Sequence, residues 1–555
     1  MCSRDNVTTF FGLDDTSRIV DPLARAHVFE WLPALSFDDQ GNCVVYDYKP
    51  EDLVAVPGTR AEANRRSGVA PFANLHLKKI RYGNRVPYAV DETAPYRPAP
   101  AAGAFLFHAV FDYGEHDPLR PTPDAGAGRA WAVRADPFSS YRSGFEIRTY
   151  RLLQRVLMFH QFDELTGGAP CLVRSLDLEH VSSAAGSPQA SEVTYLRAAS
   201  QCGYTPTADG GYARKALPPI ELDYEPLHWH TTIATVDRDS IANLPAGAAG
   251  GYQLMDLYGE GIPGVFSEQA GAWFYKANLG DVDEDGRVRF DATHWVVPKP
   301  SFAGMGSGVL ELRDLDGNGL EQVVVHTPEL QGYFDRGLHG EWLPFRPFER
   351  TVRIDLDDRN LRRLDLDGDG RADLLISEEN AFVWYRSDKH GYEPRQRAPK
   401  PYDEERGPAI VFAEEQQTIF LADMTGDGLL DIVRIRNRDI SYWPNLGYGR
   451  FGAKVAMDNA PSFAPPDLFD TKYLHLADVS GTGASDLLYL GPHACNAYLN
   501  LSGNAWSDAQ RSRRSSRPSR RTRSRPPISS ATGPPASCGR RPCRRTPARR
   551  CVTSI

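Results

Sequence analysis

Between Leu254 and Leu488 the chain repeats one alternation five times: an apolar run, an aspartate-led turn hinged by glycines, then a second apolar run. The turns read Asp256-Leu-Tyr-Gly-Glu-Gly, Asp314-Leu-Asp-Gly-Asn-Gly, Asp365-Leu-Asp-Gly-Asp-Gly, Asp423-Met-Thr-Gly-Asp-Gly and Asp478-Val-Ser-Gly-Thr-Gly, their first aspartates 51 to 58 residues apart. An aromatic strand follows each second run: Trp273-Phe-Tyr, Tyr333-Phe, Trp384-Tyr, Tyr442-Trp and Tyr498-Leu. After it come a turn, twice Asn-Leu-Gly (278–280 and 445–447), and a closing strand near Phe290 or Phe451. Four strands per repeat at this period predict propeller blades, since each repeat can bury its apolar faces only by stacking on its neighbours.

Residues 1–245 carry strand patterning without a clear helical period. Phe37 to Tyr48 reads as a turn at Gly41 followed by an alternating strand, and Leu77–Tyr82 ahead of Gly83-Asn84 repeats that logic. Phe105–Phe111, Glu146–Phe162 and Ile220–Tyr224 are further strand-like runs. The apolar content of Leu152–Phe162 would allow a helix, but its β-branched and aromatic residues favour a strand. Proline-rich loops fall at 96–100 and 118–123, and a linker at 244–251. The expected class is all-β: a β-rich shell-type region at 1–245, a five-blade, incomplete propeller at 246–508, and a distinct tail at 509–555.

That tail changes the reading of the charge. The whole chain of 555 residues has a net charge of −9, yet 14 arginines lie beyond Gln510 with no lysine or acid among them. The preceding residues hold 49 basic against 72 acidic side chains, a balance that disfavours nucleic acid as a partner. The tail reads either as a disordered basic arm or, preferred here, as out-of-frame translation landing where a blade strand is owed. The N-terminus resembles the middle of a domain and lacks the apolar core of a secretory signal. No apolar stretch is long enough for a membrane helix. Five dispersed cysteines (Cys2, Cys43, Cys171, Cys202, Cys495) make neither a disulfide framework nor a zinc site.

Candidate chemistry is confined to the acidic turns. Asp365, Asp367, Asp369 and Asp373 stand at positions 1, 3, 5 and 9 of a glycine-hinged loop, with the Arg371 carbonyl at position 7, the front of a calcium loop. Position 12 is Ile376 and β-type runs flank the loop, so any Ca2+ would sit in a β-hairpin and not in an EF-hand. Asp423, Thr425, Asp427 and Asp431 form a weaker set. The sets beginning at Asp314 and Asp478 are weaker still, and the turn with Tyr258 and Glu260 binds nothing. The competing reading is that Asp, Asn, Ser and Thr cap tight hairpins by accepting backbone N–H groups. The loss of ligands in copies that keep their glycines favours it, with the Asp365 loop, which keeps its full set, as the exception. Asp281 to Gly286 reads as a solvated hairpin out of register with the repeats. His228 and His230 share a strand face without a third ligand. No nucleophile elbow, HExxH, phosphate loop or dinucleotide fingerprint occurs. We therefore expect no enzyme.

Several strings resemble a known family. Ser3-Arg-Asp-Asn-Val-Thr-Thr, Lys79-Ile-Arg-Tyr-Gly-Asn-Arg, Asp136-Pro-Phe-Ser-Ser-Tyr-Arg-Ser-Gly-Phe-Glu-Ile-Arg-Thr-Tyr and Arg155-Val-Leu-Met-Phe-His resemble the SpvB-type N-terminal region. That region occurs in B components (TcaC and TcdB type) of bacterial insecticidal Tc toxin complexes. Gly271-Ala-Trp-Phe-Tyr-Lys, Leu421-Ala-Asp-Met-Thr-Gly-Asp-Gly and Tyr442-Trp-Pro-Asn-Leu-Gly-Tyr-Gly-Arg-Phe-Gly-Ala-Lys resemble its FG-GAP/VCBS-like, integrin-alpha-like propeller. The resemblance implies a non-enzymatic docking and gating component of a secreted toxin. Its expected partners are a pore-forming A-type subunit and a C-type subunit with Rhs repeats and a toxic enzyme, assembled in the bacterial cytoplasm. It also implies truncation at both ends and absence of the ADP-ribosyltransferase domain of SpvB. The alternative is a calcium-dependent adhesion or glycan-binding propeller.

Overall fold

The structure is a computed structural model that describes residues 1–514. Excepted are 90–97, 127–128, 183–192, 225–228, 230, 234–235, 237–238, 245–251, 283–286, 298, 301–309, 328, 338–339, 357, 414–417, 464–468 and 492–493. The pair His228/His230, most of the linker and Asp281–Gly286 hairpin, and the tail beyond 514 therefore lie outside the described residues.

The chain divides into two compact units, Met1–His228 with Leu501–Ser507, and Trp229–Asn500 with the residues from Asp508 onward. The linker read from the sequence lies some residues beyond the observed division.

A ten-stranded antiparallel sheet organises the first unit. Its order follows the chain: Thr8–Phe11, Pro33–Phe37, Cys43–Pro50, Leu75–Asn84, Phe105–Asp112, Arg155–His160, Cys171–Ser182, Thr194–Pro206 and Tyr212–Ala216, with Ile220–Glu221 also on Thr194–Pro206. Val110, Leu157, Phe159 and Leu172 form one buried cluster on it, and Leu35, Cys43, Val45, Tyr88 and Phe105 another. Gly41 takes φ +82° in the predicted turn. Gly83 does not make a turn. It lies inside Leu75–Asn84 at φ +66°, where a Cβ would meet the Phe107 ring at 2.5 Å. The positive φ there brings the backbone close to an aromatic ring and does not end the strand.

Buried ion pairs cross-link this unit. Arg65 forks onto Glu146 at 2.9 and 2.6 Å, Arg148 and Tyr150 both reach Glu62, and Arg151 binds Glu51. Asn504 accepts from Arg148 and donates to the Pro137 carbonyl.

The second unit is a row of five blades, each a four-stranded antiparallel sheet. Their strands are 252–255, 264–269, 272–276 and 294–295; 310–313, 322–326, 331–334 and 346–347; 361–364, 373–377, 381–385 and 396–399; 419–422, 431–436, 439–443 and 455–456; 474–477, 486–490, 494–498 and 510–514. Each acidic turn joins the first strand to the second. Packing between blades is aromatic and aliphatic: Trp273 and Phe266 against Val323 and Trp342, Val324 and Tyr333 against Leu374 and Tyr392, Leu375 and Trp384 against Ile432 and Trp443. The fifth blade's fourth strand, Gln510–Arg514, extends into the arginine-rich segment and pairs with Ala494–Ala497. Strand pairing uses the backbone, so composition did not reveal it. Thr232–Ile233 adds a parallel strand outside it.

Candidate functional site in the acidic loops

The first aspartate of every loop does the same work. Asp365 Oδ1 accepts from the N–H groups of Asp367 and Gly368 at 3.1 and 2.7 Å, and Oδ2 from Gly370 at 2.8 Å. Asp423 repeats this with Thr425, Gly426 and Gly428, Asp314 with Asp316, Gly317 and Gly319, and Asp478 with Gly481, Thr482 and Gly483. Even Asp256 accepts from Glu260 and Gly261. One carboxylate thus satisfies the donors of a turn too tight to pair with itself.

The ninth position staples the blade internally. Asp373 Oδ1 accepts from Ser387 N–H at 2.8 Å and Oδ2 from Leu366 N–H at 3.3 Å. Asp431 joins Asn445 to Met424, both at 2.9 Å, and Asp486 joins Asn500 to Val479 and Ser480. In the second blade Gln322 keeps half of the arrangement, accepting from Leu315 N–H at 2.7 Å. Burial pushes Asp373 up to about 7 and Asp486 to about 6, and holds Asp431 well above the carboxylate range. Asp423 is pushed to about 6 by burial and by neighbouring Asp427.

Among the sequence-predicted ligands, carboxylate oxygens of Asp365, Asp367 and Asp373 come within 4.8 Å of one another. Asp369 is engaged elsewhere: its Oδ2 meets Arg371 Nε at 2.9 Å and Arg386 at 3.0 Å. Arg386 Nε also lies 2.6 Å from Asp367 Oδ2. Asp369 sits below its ordinary range because hydrogen bonds from Arg371 and Arg386 outweigh burial, while burial and Asp369 raise Asp367. In the fourth-blade loop the Thr425 hydroxyl is buried without a hydrogen-bond partner.

Sequence reasoning missed the residues that connect one loop to the next blade. Asn445 Nδ2 donates to the Asp365 carbonyl at 3.3 Å, and Tyr448 N–H to the Leu366 carbonyl at 2.5 Å. Asn500 Nδ2 donates to the Met424 carbonyl at 3.0 Å. Lys389 Nζ lies 2.5 Å from Asp316, and the Arg336 guanidinium 5.2 Å from the Tyr258 ring centre. At every one of these four junctions the segment after a blade's third strand reaches back to the preceding blade's loop. The recurring 14-residue interval from the ninth-position aspartate to Ser387, Asn445 or Asn500 was the available signal.

Residues 1–162 match the family model described as Salmonella virulence plasmid 65kDa B protein, SpvB. They form an SpvB-type region. Over 180 residues, 32% of the chain, the sequence is 38% identical to the SpvB proteins of Salmonella typhimurium (strain 14028s / SGSC 2262) and Salmonella dublin, both named mono(ADP-ribosyl)transferase. The chain spans 29% of the length of those relatives, so their named activity is not carried over with the SpvB-type region. A chain of the Photorhabdus luminescens Tc holotoxin pore superposes with a TM-score of 0.76 at 27% identity, over 92% of this chain and 23% of that one. The TcdB2-TccC3 crystal structure gives a TM-score of 0.63 at 27% identity, over 92% of this chain and 24% of that one. The SpvB-type region and the propeller together thus have the fold of a stretch of a Tc toxin chain, as the sequence resemblance implied. Among the described residues no helix is long and apolar enough to cross a membrane.

Proposed function

We propose that this chain is a non-enzymatic component of a secreted Tc-type toxin complex, and that its propeller docks on a pore-forming A-type subunit and gates passage of a toxic cargo. The superposition on a Tc holotoxin chain over 92% of the residues carries this reading. The acidic loops support the non-enzymatic part of it: their first and ninth aspartates cap turns and staple blades, which is structural work. A C-type subunit bearing the cargo is the second proposed partner, from the TcdB2-TccC3 likeness.

The test is binding of the purified 555-residue chain to immobilised A-type subunit encoded in the same genome, read by interferometry. Saturable binding, competed by the propeller-bearing chain in solution, is expected. A folded chain that does not bind at micromolar concentration sinks the docking role.

A further inference from the structure

Two loops carry a carboxylate at position 3: Asp316 in the second blade and Asp367 in the third. Tyr258, Thr425 and Ser480 fill that position elsewhere. Both carboxylates are met by basic side chains from one short stretch of the third blade. Arg386 precedes the Ser387–Asp388/Gly391–Tyr392 hairpin and spans Asp367 and Asp369, while Lys389 at its tip meets Asp316 and, at 3.4 Å, Asp335. The third-blade loop is also the one with the full acidic set.

We infer that this stretch supplies the counter-cations of these two acidic loops from within the chain, Arg386 standing where a divalent metal would otherwise balance Asp367 and Asp369. This goes beyond the toxin-component reading and does not depend on it. The occupancy of the carboxylates supports it. Both oxygens of Asp365 and of Asp373 accept backbone N–H groups, Asp367 Oδ1 accepts from Asp369 N–H at 3.2 Å, and Asp367 Oδ2 meets Arg386. Asp369 Oδ1 accepts from Arg371 N–H at 2.9 Å. Calcium takes six to eight oxygens, and here it would have to displace a guanidinium that already bridges two of its ligands. The guanidinium donates one hydrogen bond, from Nη2 to Asp369 Oδ2 at 3.0 Å, and meets Asp367 as an ion pair through Nε, so its charge lies between the two carboxylates. The aspartates of the third-blade loop that looked like metal ligands are thus paired to their own chain.

The test compares thermal unfolding of the full chain in millimolar CaCl2 and in EDTA, for the wild type, Arg386→Gln, and Arg386→Gln combined with Asp367→Asn. The wild-type midpoint is expected to be the same in both media. Arg386→Gln is expected to lower it in EDTA and to regain part of the loss in calcium. The double variant should recover stability in EDTA, because the charge left uncompensated has been removed. Should the single variant not fold, the double variant alone decides by whether it matches the wild type. A wild-type midpoint that rises by several degrees with calcium overturns the inference. So does a double variant no more stable than the single one.

Discussion

At the scale of single residues, the ninth-position aspartates are the most exacting. Asp486 is fully buried, yet it accepts three backbone N–H groups, and burial lifts it to about 6. In the unfolded chain its reference value is about 3.9. As pH falls from above 6 towards 4 the folded form takes up the proton first, so stability rises across that window, by at most roughly 3 kcal/mol for this group. Asp373 and Asp423 act in the same sense. In EDTA the midpoint of the propeller's unfolding should climb between pH 7.5 and 5, and Asp486→Asn should flatten part of that climb; a midpoint that is level or falling in the wild type contradicts the assignment. In the first unit, Arg65→Met strands Glu146 in a fully buried position. The expected loss is about 3–5 kcal/mol in urea unfolding, because one partner of a buried pair is left uncompensated.

The same scale explains what could be read from the chain and what could not. The first aspartate and its glycines are a local device, contained within six residues, and their capping role was legible. The ninth aspartate acts across 14 residues, and its stapling role was not legible from its place in the loop. Arg386 looks like the end of an aromatic strand. Its partners lie 17 and 19 residues back, and nothing in the spacing of the loop indicates that a guanidinium is aimed there. Gly83 was misread because a glycine within a strand and a glycine in a turn have the same local neighbourhood.

At the scale of elements, the blades and their order followed from the repeat, whereas the links between them did not. Asn500 is buried and donates to carbonyls on both sides, Met424 in the fourth blade and Ser485 in the fifth. Asn500→Ala leaves the Met424 carbonyl unpaired and should cost about 1–3 kcal/mol; Asn445→Ala, at the corresponding place one blade earlier, should cost a similar amount. A loss confined to one of the two would contradict their equivalence. Gly391, at φ +109°, would bring a Cβ to 1.9 Å from the Arg350 carbonyl where the second blade's edge meets the third blade's hairpin. Gly391→Ala is therefore expected to shift the backbone there and lower the thermal midpoint by more than any surface substitution nearby.

At the scale of the whole molecule, the all-β class, the five blades and the likeness to Tc toxin chains agree with the sequence pattern. The fifth blade's fourth strand is the exception, because it is written in arginines and serines, a composition that carries no strand signal. A chain ending at Arg514 retains that strand, and one ending at Ser507 lacks it. The shorter chain should show a lower unfolding midpoint and more 8-anilinonaphthalene-1-sulfonate fluorescence, since the edge of Ala494–Tyr498 loses its partner. Equal midpoints for the two chains would mean that the strand adds nothing to the blade.

The reach-back contacts give the propeller a polarity. A loop carbonyl such as that of Leu366 or Met424 finds its donor only in the following blade, at Tyr448 or Asn500. A blade without its successor therefore lacks those donors, whatever the state of its own turn. The dependence runs one way along the sequence, so removing a blade exposes the loop carbonyls of the one before it and not of the one after.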